Sequence, residues 1–328
     1  MKRGIVVLAV LMLLLSVFGC KKGANQQEMV VAGVVFQEDQ FMRLLTLGYQ
    51  DAAQEAGVKV MLANTGNDQA KEAELVNTYV AQNVAGLVIA PLNPDSSIPV
   101  LERASQTMKI AVVNSTLTNA PFIVGGYTSD NVNLGATSGE AAAEFIKTQL
   151  GGKARIAIIQ FKSLLPVQSS ERVNGFLDAV RKVNPNVEVV ADQDAWLQDK
   201  AVQVAGDILT ADSNINIIFA ANDGGTIGSV MAVKNAGFAG RVFVYGIDTG
   251  DQQIAMLRDS DNILQAVTGQ DPYTQGRNAM NVLIDAINGK DYSATMGKTF
   301  IVPGLLLNRA NPAGIDAFEI DLKAKLAR

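Results

Sequence analysis

The chain has 328 residues, of which 48% are hydrophobic, 18% charged and 6% aromatic, and its formal net charge is −5. This length and composition predict a globular protein with two domains that have separate cores. The chain contains no histidine and one cysteine, which excludes an internal disulfide, a histidine-containing metal site and catalysis by a Ser–His–Asp triad. No basic cluster indicates binding to nucleic acid.

The first twenty residues have the pattern of an export signal. Two basic residues precede an apolar run, GIVVLAVLMLLL at 4–15, which is too short for a permanent membrane-spanning helix. The next segment, SVFGC, resembles the end of a bacterial lipoprotein signal, with Cys20 as the lipid-modified residue. We expect removal of the signal peptide 1–19, a tether at 20–28 that is anchored to the membrane through Cys20, and an extracytoplasmic mature protein. An ordinary secretory peptide with an incidental cysteine is the alternative.

Ten short apolar runs alternate with helical patterns along the rest of the chain. The predicted strands are 30–36, 58–64, 85–92, 109–115, 122–128, 154–161, 187–193, 215–223, 241–248 and 262–269. Between them, segments such as 41–57 and 70–86 have apolar residues at helical spacing, and Gly57 is placed to end the first of these helices. Alternating strands and helices predict βαβ units, and runs that are apolar throughout predict parallel strands covered on both faces. The sequence therefore predicts an α/β fold with two doubly wound parallel sheets.

Polar residues, mainly Asp, Asn and Gln, follow most of the predicted strands. Examples are FQEDQF at 36–41, FAANDGG at 219–225 and YGIDTGD at 245–251. Ligands of open α/β sheets bind outside the carboxyl ends of the strands, so these segments are candidates for a ligand site. Loops are polar in most proteins, but the restriction to amides and carboxylates, with almost no Lys or Arg, favours a binding site.

The motifs of common enzyme sites are absent. There is no G-x-G-x-x-G after the first strand, no phosphate-binding G-x-x-x-x-G-K-[ST] and no G-x-S-x-G elbow. A carboxylate pair such as Asp39 and Asp248 could serve a retaining glycosidase, but such pairs are also common in sugar-binding sites. Carboxylates accept hydrogen bonds from sugar hydroxyls, and amides and Arg donate to them. The sequence predicts a binding protein for a neutral polyhydroxy compound, with no cofactor and no metal, rather than an enzyme.

Five blocks of the sequence resemble, in order and spacing, the periplasmic substrate-binding proteins of sugar ABC importers. The ribose-binding and glucose/galactose-binding members are the most similar. The blocks are TSDN at 128–131, SSERVNGF at 169–176, FAANDGGTIGSV at 219–230, VYGID at 244–248 and GQDPYTQG at 269–276. The resemblance covers the chain from Val30 to about Leu307.

The resemblance implies the type I periplasmic binding fold, in which two doubly wound parallel-sheet lobes are joined by a three-crossover hinge with the ligand cleft between them. It places the crossovers near Ser129, Gln270 and Pro303. The implied limits are 29–129 plus 271–302 for lobe 1, and 130–270 plus 303–328 for lobe 2.

The resemblance also implies a set of ligand-binding residues. Asp39 and Phe41 stand where an acid accepts from the sugar and an aromatic ring covers one sugar face. Trp196 stands where a tryptophan covers the opposite face, and Arg172 where an arginine reaches the ring oxygen and the anomeric hydroxyl. The other predicted ligand-binding residues are Met42, Asn114, Gln168, Asn222, Asp248 and Gln270.

The chain departs from the family pattern at several of these positions. Gln168 replaces an aspartate of the glucose/galactose binder, and Met42 replaces the second phenylalanine of the ribose binder. Structural alternatives also stay open, such as core packing for Phe41 and a helix N-cap for Asn222. The identity of the sugar is therefore open, with an aldohexose favoured by Asp39 and Trp196 and a pentose as the alternative.

The expected function is capture of a monosaccharide by a monomeric protein that delivers it to an ABC permease in the cytoplasmic membrane. A sugar sensor for a chemoreceptor or histidine kinase is one alternative. A binder of a furanosyl signalling molecule or a nucleoside is another, although a nucleoside site would normally have more aromatic lining. The ligand-binding core of a lac-type repressor shares the fold, but this chain has an export signal where such a repressor has its DNA-binding headpiece.

Overall fold

The computed structural model describes residues 29–327, so the signal peptide and the whole tether 20–28, with Cys20, lie outside the described residues. Its strands are β1 Val30–Val35, β2 Lys59–Asn64, β3 Gly86–Ile89, β4 Lys109–Val113, β5 Ile123–Thr128, β6 Arg155–Gln160, β7 Glu188–Asp194, β8 Ile217–Ala220, β9 Phe243–Ile247, β10 Leu264–Gly269, β11 Thr299–Ile301 and β12 Leu305–Asn308. All ten predicted strands are present, and β11 and β12 are two short strands that the sequence reading missed.

The strands form two six-stranded sheets. The order is β11-β5-β4-β3-β1-β2 in the first sheet and β12-β10-β9-β8-β6-β7 in the second. The first sheet is parallel throughout. The second is parallel except at its edge, where β12 runs antiparallel to β10. Central strands such as β3 are buried along their whole length, as expected when helices cover both faces of a parallel sheet. The predicted α/β fold with two lobes is confirmed.

The helices are α1 Gln40–Glu55, α2 Gln69–Ala81, α3 Pro94–Ala104, α4 Asn131–Gln149, α5 Pro166–Val183, α6 Gln198–Ala211, α7 Asp223–Asn235, α8 Asp251–Arg258, α9 Pro272–Ile287 and α10 Pro312–Leu326. Seven of these described helices begin after an Asp or Asn whose side chain accepts from a backbone N–H of the first turn. Helix capping therefore explains part of the Asp and Asn content at the strand ends. No helix within 29–327 is both long enough and apolar enough to cross a bilayer.

The chain passes between the two sheets three times: from β5 to α4, from β10 to α9, and from β11 to β12. The first two passages touch, because the Gln275 side chain donates to the Ser129 hydroxyl at 3.0 Å and both residues are buried. The third is packed against the second, since a Cβ on Gly304 would lie 2.9 Å from the backbone oxygen of Gly269. The exact limits of the two lobes given above stay predictions.

Helices α4 and α5 approach each other closely through glycines. A Cβ on Gly139 of α4 would lie 2.5 Å from the backbone oxygen of Phe176, and a Cβ on Gly175 of α5 would lie 2.1 Å from that of Val132. Because the clashing atoms belong to the backbone, no side-chain rotation can relieve them.

We therefore expect Gly139→Ala to destabilise the protein by more than about 1 kcal/mol, because α4 and α5 must separate to make room for the methyl group. Gly206→Ala in α6 is the matched control. Nothing lies within 4 Å of its added Cβ, and alanine is the better helix former by about 1 kcal/mol. Urea unfolding of both variants checks the pair, and equal stability of the two would contradict the packing described here.

Candidate functional site

The carboxyl ends of the two sheets face each other across a narrow cavity of about 50 Å³. This volume is well below the roughly 300–1,000 Å³ of usual small-ligand sites, so the closed lobes leave little free space between them. We call this space the central cavity. It is lined by Phe36, Gln37, Asp39, Phe41, Met42, Asn114, Phe161, Leu164, Leu165, Gln168, Arg172, Asn222, Asp223, Asp248 and Gln270. Nine of the ten predicted ligand-binding residues are in this set.

Trp196 is the tenth predicted residue, and the structure places it elsewhere. It lines a neighbouring outer cavity together with Gln37, Glu38, Asn222 and other residues of both lobes. Its indole is partly buried against the core, while its backbone oxygen accepts from Asn222 Nδ2 at 2.9 Å. A role for Trp196 as the second stacking ring stays a prediction, and Phe161 is the lobe 2 aromatic that lines the central cavity.

Asp39 fixes the loop between β1 and α1. Its Oδ1 accepts from the backbone N–H of Met42 at 2.8 Å, which caps α1, and its Oδ2 accepts from the Gln37 amide. This cap directs Phe41 and Met42, in the first turn of α1, into the wall of the central cavity. Met42 is 2% exposed and also belongs to the hydrophobic core, so it serves as cavity wall and core residue at once.

Arg172 projects from α5 into the end of the cleft and is 4% exposed. Its Nε donates to Asn131 Oδ1 at 3.0 Å and its Nη1 donates to the backbone oxygen of Ala221 at 2.9 Å. The guanidinium lies over the Phe161 ring, 5.1 Å from its centroid, and 4.0 Å from Asp248 Oδ2. Burial lowers the pKa of Arg172, and the Asp248 carboxylate opposes that shift.

Asp248 lies at the end of β9, with a positive φ of 74°. Its Oδ1 accepts from Gln270 Nε2 at 2.8 Å, and its Oδ2 accepts from the backbone N–H of Asp223 at 3.1 Å. Gln270, on the second passage between the sheets, is 8% exposed, and its Oε1 has no partner within the described residues. The loops after β8, β9 and β10 are thus joined by hydrogen bonds.

Asn114 and Gln168 join the two lobes across the cleft. Gln168 on α5 donates from Nε2 to the backbone oxygen of Asn114, at the end of β4, at 2.6 Å. A second bond between lobes runs from the backbone N–H of Asp251 to Gln40 Oε1 at 3.1 Å. These bonds show that the structure holds the two lobes in contact, in a closed arrangement.

Asn222 has a structural role in addition to its place in the cavity wall. Its Oδ1 accepts from the backbone N–H of Gly225 at 3.2 Å and caps α7, while its Nδ2 donates to the Trp196 backbone. The N-cap alternative for this residue is therefore present in the structure. The cap and the cavity position do not exclude each other, because each amide atom can make a second hydrogen bond.

Carboxylates dominate the charge of the central cavity. Burial raises the pKa of Asp39, and the facing Asp248 adds to the shift. Burial raises the pKa of Asp223 to about 7, with smaller contributions from Asp248 and Asp39. Arg172 is the cation among the residues that line this cavity.

Sequence reasoning missed Asp223 and Phe161. Both follow apolar strands, β8 and β6 respectively, and the strand-end rule covers both positions. In the sequence, Asn-Asp is also typical of a helix start, and Phe161 continues the apolar run of β6, so neither residue stands out as a ligand-binding residue. Phe36, Leu164 and Leu165 complete the missed lining, and Gln37, which the sequence indicates as a possible contact at the cleft edge, also lines the cavity.

Within residues 29–327, no three His, Cys, Asp or Glu residues are grouped closely enough to hold a metal ion. The cavity wall offers carboxylate acceptors, amide and guanidinium donors, and aromatic rings from both lobes. This arrangement can satisfy a small molecule that carries hydroxyl groups and has an apolar C–H face.

Comparison with known proteins agrees with this description. A family model described as a periplasmic binding protein domain matches residues 30–291. The ABC transporter periplasmic-binding protein YphF of Escherichia coli is 27% identical over 250 residues, which are 74% of this chain and 76% of that protein. The D-allose-binding periplasmic protein of the same organism is 30% identical over 251 residues, 73% of this chain and 78% of that protein.

Among solved structures, a carbohydrate transporter solute binding protein from Agrobacterium radiobacter in complex with D-arabinose superposes with a TM-score of 0.79. It is 22% identical and covers 89% of this chain and 99% of its own. At this identity the likeness shows the fold.

The backbone at Asn114 provides a stability test of the cleft geometry, because its φ is +56°. We expect Asn114→Ala to lower the free energy of unfolding by about 1 kcal/mol more than Asn114→Gly, since alanine is strained in the left-handed region and glycine is not. Both variants keep the backbone oxygen that Gln168 binds. Urea denaturation measures the difference, and an alanine variant as stable as the glycine variant would show that the left-handed conformation is absent.

Proposed function

We propose that the chain, which belongs to the family of periplasmic binding protein domains, is the sugar-binding protein of an ABC importer. It captures a monosaccharide outside the cytoplasmic membrane by closing its two lobes and delivers it to a membrane permease. The family consists of binding proteins, so the acids in the cleft bind the ligand and catalyse no reaction.

One observation carries the proposal: nine residues chosen from the sequence as sugar ligands line one cavity between the lobes. Lobe 1 contributes Asp39, Phe41 and Asn114, and lobe 2 contributes Arg172 and Asp248, among others. A ligand held by both sets stabilises the closed arrangement over the open one, since only closure brings the two sets together.

The chemistry of the wall fits a neutral polyol. Carboxylate oxygens of Asp39 and Asp248 accept hydrogen bonds from hydroxyls. The guanidinium of Arg172 supplies donors, and the amide of Gln270 supplies both a donor and an acceptor. Phe41 and Phe161 supply apolar surfaces for the C–H faces of a sugar ring. The relatives named above include binders of D-allose and D-arabinose. We take an aldohexose as the first candidate and a pentose as the second.

Sugar titration and deletion of the permease genes distinguish an importer component from two alternatives, a sugar sensor and a binder of another small molecule. A sensor that presents sugar to a chemoreceptor or histidine kinase would bind the same ligand, but deletion of the permease genes would abolish sugar uptake only for an importer component. A furanosyl signalling molecule or a nucleoside would bind in place of free monosaccharides. The protein is proposed to act as a monomer.

The membrane anchor is part of the proposal and rests on the lipoprotein-like signal that ends at Cys20. We expect the full-length protein to partition with membranes after expression in a bacterial host. Cys20→Ala removes the acceptor for the lipid and is expected to release the protein into the soluble extracytoplasmic fraction. Fractionation and immunoblotting measure the change, and a wild-type protein found only in the soluble fraction would refute the anchor.

The sugar site is tested by titration calorimetry with a panel of D-allose, D-glucose, D-galactose, D-ribose, D-arabinose, D-xylose and myo-inositol. For the sugar that binds most tightly, Asp248→Ala is expected to weaken binding by more than about tenfold, because a charged hydrogen-bond partner is lost. Asp248→Asn, which tolerates the positive φ, is expected to have a smaller effect.

Glu102→Ala, at an exposed position of α3, is the control and should bind as the wild type does. A sugar that binds equally well to the wild type and to both Asp248 variants would remove Asp248 from the site. Failure of every compound in the panel would refute the proposed function.

A further inference from the structure

Asp223 is the first residue of α7, and it lines the central cavity, the outer cavity and a third, smaller space beside Phe41 and Gln270. Its backbone N–H donates to Asp248, but its side-chain Oδ1 is buried and has no hydrogen-bond partner within the described residues. A buried carboxyl oxygen without a partner is costly, so the closed cleft is incomplete at this point.

A second buried oxygen in the same wall lacks a partner. Gln270 donates to Asp248 through Nε2, but its Oε1 is unpaired within the described residues and its side chain is almost wholly buried. Gln270 and Asp223 both line the central cavity and the smaller space beside it. Gln37 Oε1, in the wall of the central cavity, is also buried and unpaired within the described residues. Three unpaired polar atoms in one cavity indicate groups that a ligand satisfies.

The charges around Asp223 are mainly negative. Asp39 faces it from the β1–α1 loop of lobe 1, and Asp248 faces it from the β9–α8 loop of lobe 2. Arg172 on α5 donates to other groups and lies 4.0 Å from Asp248. On the side of the outer cavity, Lys71 of α2 and Glu38 line the space.

A carboxylate at position 223 would need a hydrogen-bond donor from the ligand, and it would be repelled by the two other acids, Asp39 and Asp248. A carboxylic acid would instead supply a donor and would avoid the repulsion. Sugars have ring and hydroxyl oxygens that accept such a bond.

We propose that Asp223 is a further ligand-binding residue and that its protonated carboxyl donates a hydrogen bond to the neutral polyol in the closed cleft. This inference rests on the proposed function and adds to it that proton uptake accompanies ligand capture. Burial between the lobes raises the pKa of Asp223 to about 7, which agrees with a carboxyl that holds its proton near neutrality.

The raised pKa of Asp223 determines how the affinity for the polyol depends on pH. Closure around a neutral ligand raises the pKa of Asp223 above its value in the open protein, so the bound state holds more protons than the free state. Binding is therefore favoured at low pH and weakens as the pH rises through about 7.

The test is calorimetric titration of the full chain with the tightest-binding polyol of the panel, between pH 6 and pH 8. The affinity of the wild type is expected to fall by about tenfold over this range, since binding is linked to up to one proton per site. Repeating the titration in buffers with different ionisation enthalpies measures the proton uptake directly in the unaltered protein.

Two variants assign the proton to its site. Asp223→Asn cannot titrate but keeps a donor, so its affinity should vary by less than about twofold over the same range. Asp39→Asn removes the other acid whose pKa is raised. Its affinity should still fall as the pH rises, over a range displaced to lower pH, because the Asp39 charge contributes to the raised pKa of Asp223. Asp95→Asn, in the first turn of α3, is the surface control.

The outcomes separate this inference from the proposed function. Polyol binding with no pH dependence and no proton uptake would overturn the role of Asp223 and leave the sugar site standing. The same follows if Asp223→Asn keeps the wild-type pH profile. If no polyol binds to the wild type at any pH, both proposals fail.

Discussion

A buried guanidinium is the constraint on which the cleft depends. Arg172 is removed from water, which is costly for a charged group unless it is paired and hydrogen-bonded. Its partners come from four places: the start of α4, the end of β8, the ring of Phe161 after β6, and Asp248 after β9. The contacts that stabilise the buried Arg172 cation therefore hold three strand ends of lobe 2 and the first passage between the lobes in a single arrangement.

The same arrangement explains the acidic character of the cleft. Arg172 donates its hydrogen bonds to groups of lobe 2. Asp39 and Asp223 face each other across the closed interface, and no other cation is among the residues that line the central cavity. Two bonds between lobes, at Gln168 and Gln40, hold the surfaces together while polar atoms between them stay unpaired. A cleft of this kind is complementary to a molecule that carries hydroxyl groups. Binding of such a molecule and closure of the lobes are then thermodynamically coupled.

The fold was predictable from sequence because it depends on local patterns. Nine of the ten ligand-binding residues that the family resemblance implies line the central cavity, and their contacts with a ligand stay predictions. Apolar runs identify the parallel strands, and their carboxyl ends hold the polar residues that converge in the cavity. The edge strands β11 and β12 are only 3 and 4 residues long, which is too short for an apolar run to distinguish a strand from a loop. The side-chain roles of Trp196 and Phe161 depend on where α5 and the loop after β7 lie, which sequence spacing does not fix. The state of Asp223 depends on charges from both lobes, which only the tertiary structure brings together.

The central claim is that a neutral polyol lies between the lobes, with its C–H faces against Phe41 and Phe161 and its hydroxyls on the acids and amides of both lobes. A crystal structure of the protein with the tightest-binding polyol of the panel tests it most directly. The account predicts electron density for the polyol in the central cavity, in hydrogen-bond contact with Asp39 from lobe 1 and Asp248 from lobe 2. A polyol bound only in the outer cavity beside Trp196, with the central cavity filled by water, would contradict it.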